Sequence, residues 1–193
     1  MAAGKQELDF RLKQSVYLIG FMGSGKSTCA RKLGRDLGLP ALDLDAYIKR
    51  QEGMSPKDII QKFGEKHFRE LEHKALMKVS ELSPHIIACG GGIVELEENR
   101  AFLENEAYVV CLVIDPAHAR QRISNIKTRP LFGDLAQAQA LYERRVGWYK
   151  RAQNRYVFVW GKHVGRIAFE VKRHLVCDGI LLDGACNSAS RCN

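Results

Sequence analysis

No stretch of the 193-residue chain approaches the length of apolar residues needed to cross a membrane, and Met1 to Glu7 hold no apolar run at all. A soluble, cytoplasmic protein is expected. The six cysteines (Cys29, Cys89, Cys111, Cys177, Cys186 and Cys192) show neither a C-x-x-C pair nor a Cys/His ligand spacing. A disulfide frame is therefore not expected, and buried free thiols in a reducing compartment fit better. There is no internal repeat and no break in composition, so one domain with one core is expected, running from about residue 16 to 176. Acidic residues are scarce between Arg120 and Arg155, where nine Lys or Arg face two acids, Asp134 and Glu143, and this segment carries most of the net charge of +8. Such a stretch can serve a nucleic acid, a membrane surface or an anionic small molecule. Few aromatics interleave with these arginines for base stacking, so neither a nucleic acid nor a membrane is the expected partner.

What is present begins with Val16 to Ile19, an apolar strand that runs into Gly20-x4-Gly25-Lys26-Ser27. Gly20, Gly23 and Gly25 allow a tight turn whose N–H groups point inward, toward the positive end of the helix carrying Cys29, Ala30, Leu33 and Leu37. A polyphosphate suits that cradle. Lys26 has the reach for the β- and γ-phosphates, and Ser27 offers a hydroxyl to a magnesium ion.

Further along, Ser55-Pro56 with Asp58 reads as an N-cap, a first-turn proline and a first-turn acid, opening a helix that Gly64 ends. A second helix is expected over Glu65 to Leu82, then buried strands at Ile86 to Cys89 and Tyr108 to Ile114. The remainder reads as helix Ala117 to Ile126, a polar segment from Lys127 to Gln139, helix Ala140 to Gln153, strand Tyr156 to Trp160 and helix His163 to Val176. Alternating helices and continuously apolar strands predict a three-layer α/β fold with a central parallel sheet, its ligands at the carboxyl ends of the strands. Residues 177–193 are expected to form a flexible tail.

Several polar groups sit where a ligand would be. Ala41 to Asp45 alternates apolar and acidic residues, which as a strand puts Asp43 and Asp45 on one side, one acid for hydrated magnesium and one for an attacking hydroxyl. Solvated loop acids, or a cap for the helix at Tyr47, are the alternative. Asp115 competes as a magnesium-organising acid, though Pro116 after it favours a helix cap. Arg69 and Glu72, three apart on one helix, form either a surface ion pair or a pair that still presents donors outward. Gly90-Gly91-Gly92 after a buried strand is a ligand floor or a bare turn.

The ordered set of Gly-Phe-Met-Gly-Ser-Gly-Lys-Ser-Thr, Asp43-Leu-Asp45, Phe68-Arg69-Glu-Leu-Glu72, Gly90 to Gly92 with Asn99-Arg100, Arg129-Pro130-Leu131, and Arg145 before Tyr149 closely resembles the shikimate kinases, from about Val16 to Leu175. The resemblance implies a P-loop fold of the nucleoside-monophosphate-kinase type with a mobile lid at about 127–139. It implies transfer of the ATP γ-phosphoryl group to the 3-hydroxyl of shikimate, in the route to chorismate and the aromatic amino acids, by a monomer using Mg2+. By the same resemblance Asp45, Arg69, Gly90, Gly91, Gly92 and Arg145 would hold shikimate, the two arginines gripping its carboxylate. Gly23, Ser24, Gly25, Lys26, Ser27, Thr28, Arg122 and Arg129 would hold ATP, with Arg122 stacking on adenine and Arg129 reaching the transferring phosphate. Ser27 and Asp43 would organise the metal, and Lys26, Asp45 and Arg129 would be catalytic. The chain departs from many relatives at Gly147, where they carry proline. Another small-molecule kinase of this fold, such as a gluconate kinase, is one rival, and a kinase-shaped regulatory protein without turnover is another.

Overall fold

The computed structural model describes residues 10–122 and 134–183. After β1 (Phe10–Leu12), the wholly buried β2 (Val16–Ile19) leads through the glycine-rich turn into α1 (Lys26–Leu37). Cys29, Ala30, Leu33 and Leu37 form the buried stripe of α1, and Gly38 ends it in the left-handed conformation. β3 (Ala41–Asp43) and α2 (Leu44–Glu52) follow, then α3 (Pro56–Ser80). As the sequence predicts, Ser55 caps α3, its Oγ accepting from Asp58 N at 3.2 Å, and Gly64 interrupts it with φ 88° and ψ 163°.

The chain continues as β4 (Ile86–Ala88), α4 (Glu97–Asn105), β5 (Tyr108–Val113), α5 (Pro116–Arg122), α6 (Leu135–Ala152), β6 (Arg155–Phe158), α7 (Val164–Cys177) and β7 (Leu181–Asp183). Five strands pair in parallel in the order β3-β4-β2-β5-β6, with Val16 opposite Ile86 on one side and Tyr108 on the other. Helices flank this sheet, α1 against α7 and α6 against α4 and α5. The central β2 and β4 are buried along their whole length and β5 nearly so, whereas the edge strand β6 is largely exposed and the edge strand β3 only partly buried. Continuous apolar runs therefore mark the centre of a parallel sheet covered on both faces. Since β2 has β4 on one side and the later β5 on the other, the strand order reverses at the end of β2, where the glycine turn lies.

Four expectations need correction. Asp45 is not in a strand: β3 stops at Asp43, whose carboxylate caps α2 by accepting from Ala46 N at 3.0 Å, and Asp45 lies in the first helical turn. The tail does not start at 177, because Leu181–Asp183 pairs antiparallel with Phe10–Leu12. α4 fills a span to which the sequence reading assigned no element, and α6 starts at Leu135, with Asp134 capping Ala136 and Gln137, five residues before the expected start at Ala140. Residues 127–133 of the expected lid, Arg129 included, lie outside the described residues.

Cys29, Cys89 and Cys111 are buried free thiols, and Cys177 is exposed. Among the described residues no helix is long and apolar enough to cross a membrane.

Candidate active site

Positive φ values at Gly20 (132°), Gly23 (81°) and Gly25 (89°) turn the chain between β2 and α1. A Cβ on Gly20 would stand 2.3 Å from Leu112 O, so the loop sits directly against β5. Gly25 is the N-cap of α1, and no side chain caps that end, which leaves first-turn N–H groups for an anion. Ser27 and Thr28 are the next two residues of that turn after Lys26. The Lys26 ammonium donates to Gly20 O at 2.8 Å and Phe21 O at 3.1 Å, so the cation is held within the loop that forms the cradle. Ser24 is wholly buried beneath it.

Arg122, the last residue of α5, lies beside the glycine turn. Its Nη2 is 3.7 Å from where a Gly25 Cβ would be, and its Nη1 donates to Val159 O and Lys162 O. Asp115 caps α5, its Oδ1 accepting from His118 N at 3.0 Å, in keeping with the cap that Pro116 favours.

On the other side of the glycine turn, the three glycines after β4 are where charged groups meet. A Cβ on Gly90 would stand 2.4 Å from Glu72 Oε1 and 2.9 Å from Asp45 Oδ1; one on Gly92, 2.1 Å from Arg69 Nη1. One on Gly91 would be 3.5 Å from Met22 N in the glycine loop and 3.9 Å from Arg145 Nη1. Neither a bare turn nor a floor for the ligand alone accounts for this: side chains at Gly90 and Gly92 would occupy the space of the protein's own carboxylates and guanidinium. Tyr149, on α6, fixes the middle glycine by donating its hydroxyl to Gly91 O.

Arg69 is not a surface residue. It donates to Glu72 and, at 2.7 Å, to Glu65, with its side chain 12% exposed. Glu72 is 1% exposed, and among the described residues its Oε1, which faces Gly90, has no hydrogen-bond partner. Burial pushes the Glu72 carboxyl up to about 7, with Asp45 adding to the rise and Arg69 and Arg145 opposing it. Arg145, 4% exposed, donates from Nε to Glu95 Oε1 at 2.6 Å. Gly147 is carried inside α6 with open space around it, so the helix bearing Arg145 needs no proline.

Asp45, Arg69, Arg145 and the three glycines thus converge beside the glycine loop, and Asp43 stands two residues from Asp45 at the end of β3. Buried Cys89 feels Lys26, Glu72, Asp45 and Asp43 together. Three contributors were missed. Tyr149 was only a landmark, Glu72 only a partner for Arg69, and Glu95 had no role. For Glu72 the helical phase with buried Phe68, Ala75 and Leu76 was the available signal.

The shikimate kinase family model matches residues 22–175. A shikimate kinase of Bacillus anthracis is 34% identical over 164 residues, which cover 84% of this chain and 98% of that protein. The solved shikimate kinase of Acinetobacter baumannii in complex with shikimate superposes with a TM-score of 0.80 at 28% identity, covering 86% of this chain and 94% of that one. A gluconokinase from Sinorhizobium meliloti reaches a TM-score of 0.54 at 16% identity, over 86% of this chain and 93% of that one, a likeness of fold alone.

Proposed function

The chain belongs to the shikimate kinase family, and from that premise we propose how its residues transfer the γ-phosphoryl group of ATP to the 3-hydroxyl of shikimate. The observation that carries the assignment is the convergence of two carboxylates, Asp45 and Glu72, and two guanidinium groups, Arg69 and Arg145, on Gly90 to Gly92 beside the glycine loop. A small polyhydroxylated acid needs cationic forks for its carboxylate and an acid for its hydroxyl, and guanidinium suits the forks better than ammonium.

ATP lies with its phosphates on the N–H groups of Gly23 to Thr28 and its adenine against Arg122. Lys26 turns from the loop carbonyls toward the β- and γ-phosphates, where charge builds up as the bond to the leaving oxygen lengthens. Arg69 and Arg145 orient shikimate by its carboxylate, so the hydroxyl is presented to Asp45. The hydroxyl oxygen bonds to the γ-phosphorus as the bond to the β-phosphate oxygen breaks, Asp45 takes the proton, and ADP leaves. Arg129 keeps the role at the transferring phosphate that the resemblance implies.

The Ser27 hydroxyl and the Asp43 carboxylate would hold Mg2+, as oxygen ligands of the kind a hard cation takes. Asp43 accepts one backbone hydrogen bond through Oδ1, and a carboxylate has further acceptor capacity. The metal would neutralise charge on the phosphates. We place the enzyme in the cytoplasm as a monomer. The test is ADP release with shikimate, gluconate and nucleoside monophosphates as acceptors. Turnover on shikimate alone is expected, and faster turnover on gluconate would overturn the assignment.

A further inference from the structure

Glu95 is the third residue after the triple glycine, and its backbone is clamped from several sides. Its N–H donates to Gly92 O at 2.8 Å, while Arg100 Nη1 donates to Val94 O at 2.8 Å and Glu95 O at 2.9 Å. The Arg100 guanidinium itself lies 4.6 Å from the ring centroid of Trp148 on α6. The backbone from which the Glu95 carboxylate, 15% exposed, projects is therefore held in place. Its Oε1 accepts from Arg145 Nε and from Arg144 Nη2, both at 2.6 Å.

A guanidinium has two edges that can fork a carboxylate, one containing Nε and one formed by the two Nη groups. Glu95 engages Arg145 on the Nε side, and Arg145 Nη1 lies on the side of Gly91. The second arginine has a purpose in this geometry. Glu95 alone would neutralise Arg145 and weaken its hold on an anion, whereas two guanidinium groups on one carboxylate leave a net positive charge. Together they hold the Glu95 carboxyl below its ordinary range despite the burial that raises it.

We infer that Glu95 is a positioning residue for the acceptor: it anchors Arg145 by Nε so that the Nη1 side faces Gly91, where the acceptor carboxylate is gripped. The inference rests on the proposed role of Arg145. Glu95 touches no reacting atom, so its loss changes acceptor binding and leaves the chemical step and ATP binding alone.

The experiment measures kcat and both KM values for Glu95→Ala, Glu95→Asp, Glu95→Gln, Arg145→Ala and the double variant Glu95→Ala/Arg145→Ala. Glu95→Ala should raise the shikimate KM about tenfold, as expected for a lost charge-assisted hydrogen bond, with kcat and the ATP KM near wild type. Glu95→Asp, which retracts the carboxylate by one methylene and keeps the fold if the alanine variant does not, should shift KM in the same direction. Glu95→Gln, still an acceptor for Nε, should stay within about threefold of wild type. Glu95→Ala should add nothing in the Arg145→Ala background.

An unchanged shikimate KM in both Glu95→Ala and Glu95→Asp, beside a raised one in Arg145→Ala, overturns the inference and leaves the role of Arg145 standing. An unchanged KM in Arg145→Ala overturns that role and the inference with it. A further loss in the double variant, or a matching rise in the ATP KM, also overturns it by making Glu95 act independently or only structurally.

Discussion

Lys26 shows what a single residue can reveal in sequence and what it conceals. The motif gives its chemistry, but not that the residue is 8% exposed with its ammonium bonded to Gly20 O and Phe21 O. Lys26→Ala should therefore lower kcat by more than tenfold, about 1.4 kcal/mol of transition-state stabilisation, and also cost about 1 kcal/mol of stability for the lost loop bonds. Steady-state kinetics and urea unfolding measure the two separately. A variant that keeps more than a tenth of wild-type kcat does not fit the placement. Asp45 was found for a partly wrong reason: strand alternation put it beside Asp43, whereas it reaches Gly90 from the first turn of α2. Asp45→Asn keeps size and hydrogen bonding but loses most basicity, and kcat should fall about 10²-fold, with ATP binding by calorimetry unchanged. A tenfold fall would recast Asp45 as orienting, since phosphoryl transfer needs little base assistance. Unchanged kcat and shikimate KM would remove it from the site.

At the scale of elements, two glycines that look alike in sequence should behave differently. An alanine Cβ at Gly20 meets backbone, Leu112 O at 2.3 Å, at a φ of 132° that side chains rarely adopt. At Gly92 it meets the far end of Arg69. Gly20→Ala should thus cost about 3 kcal/mol or more in urea unfolding. Gly92→Ala should leave stability within about 1 kcal/mol and instead raise the shikimate KM by displacing Arg69. A Gly92→Ala enzyme with normal KM would show that Arg69 has no part in acceptor binding. These contacts were not legible because they join residues far apart in the chain. The same holds for β1 and β7, three residues each, which exist through pairing with one another. What was legible had local causes: the Ser55 cap, the break at Gly64, the continuous apolar runs of β2, β4 and β5, and the helical stripe of α1. α4 escaped because Asn99 and Leu103 are its only buried residues, too short a stripe to read.

For the whole molecule, the site makes an electrostatic demand that stability must reflect. Glu95, held by Arg144 and Arg145, and Asp178, held by Arg155 and Tyr108, lie below the usual carboxylate range. Their contribution is present above the unfolded pKa and lost as pH falls through the folded one. Glu72 runs the other way. Its folded carboxyl stands at about 7 against 4.5 for the free group, chiefly through burial, so between those values the native state holds a proton that the unfolded chain has released. Stability then falls as pH rises through that window, by an amount on the order of 3 kcal/mol for the full shift. Glu72→Gln cannot titrate. It loses the ion pair with Arg69 at every pH, so the slope of stability with pH, rather than its absolute value, is the readout. Urea unfolding at intervals from pH 4.5 to 8 should show wild type declining relative to Glu72→Gln across the window. Parallel curves for the two proteins would mean that Glu72 is ionised throughout, its burial outweighed by the guanidinium groups of Arg69 and Arg145. The unpartnered Oε1 above Gly90 would then belong to a full negative charge beside Asp45, and the arginines' hold on an acceptor carboxylate would be weaker than the proposed mechanism requires.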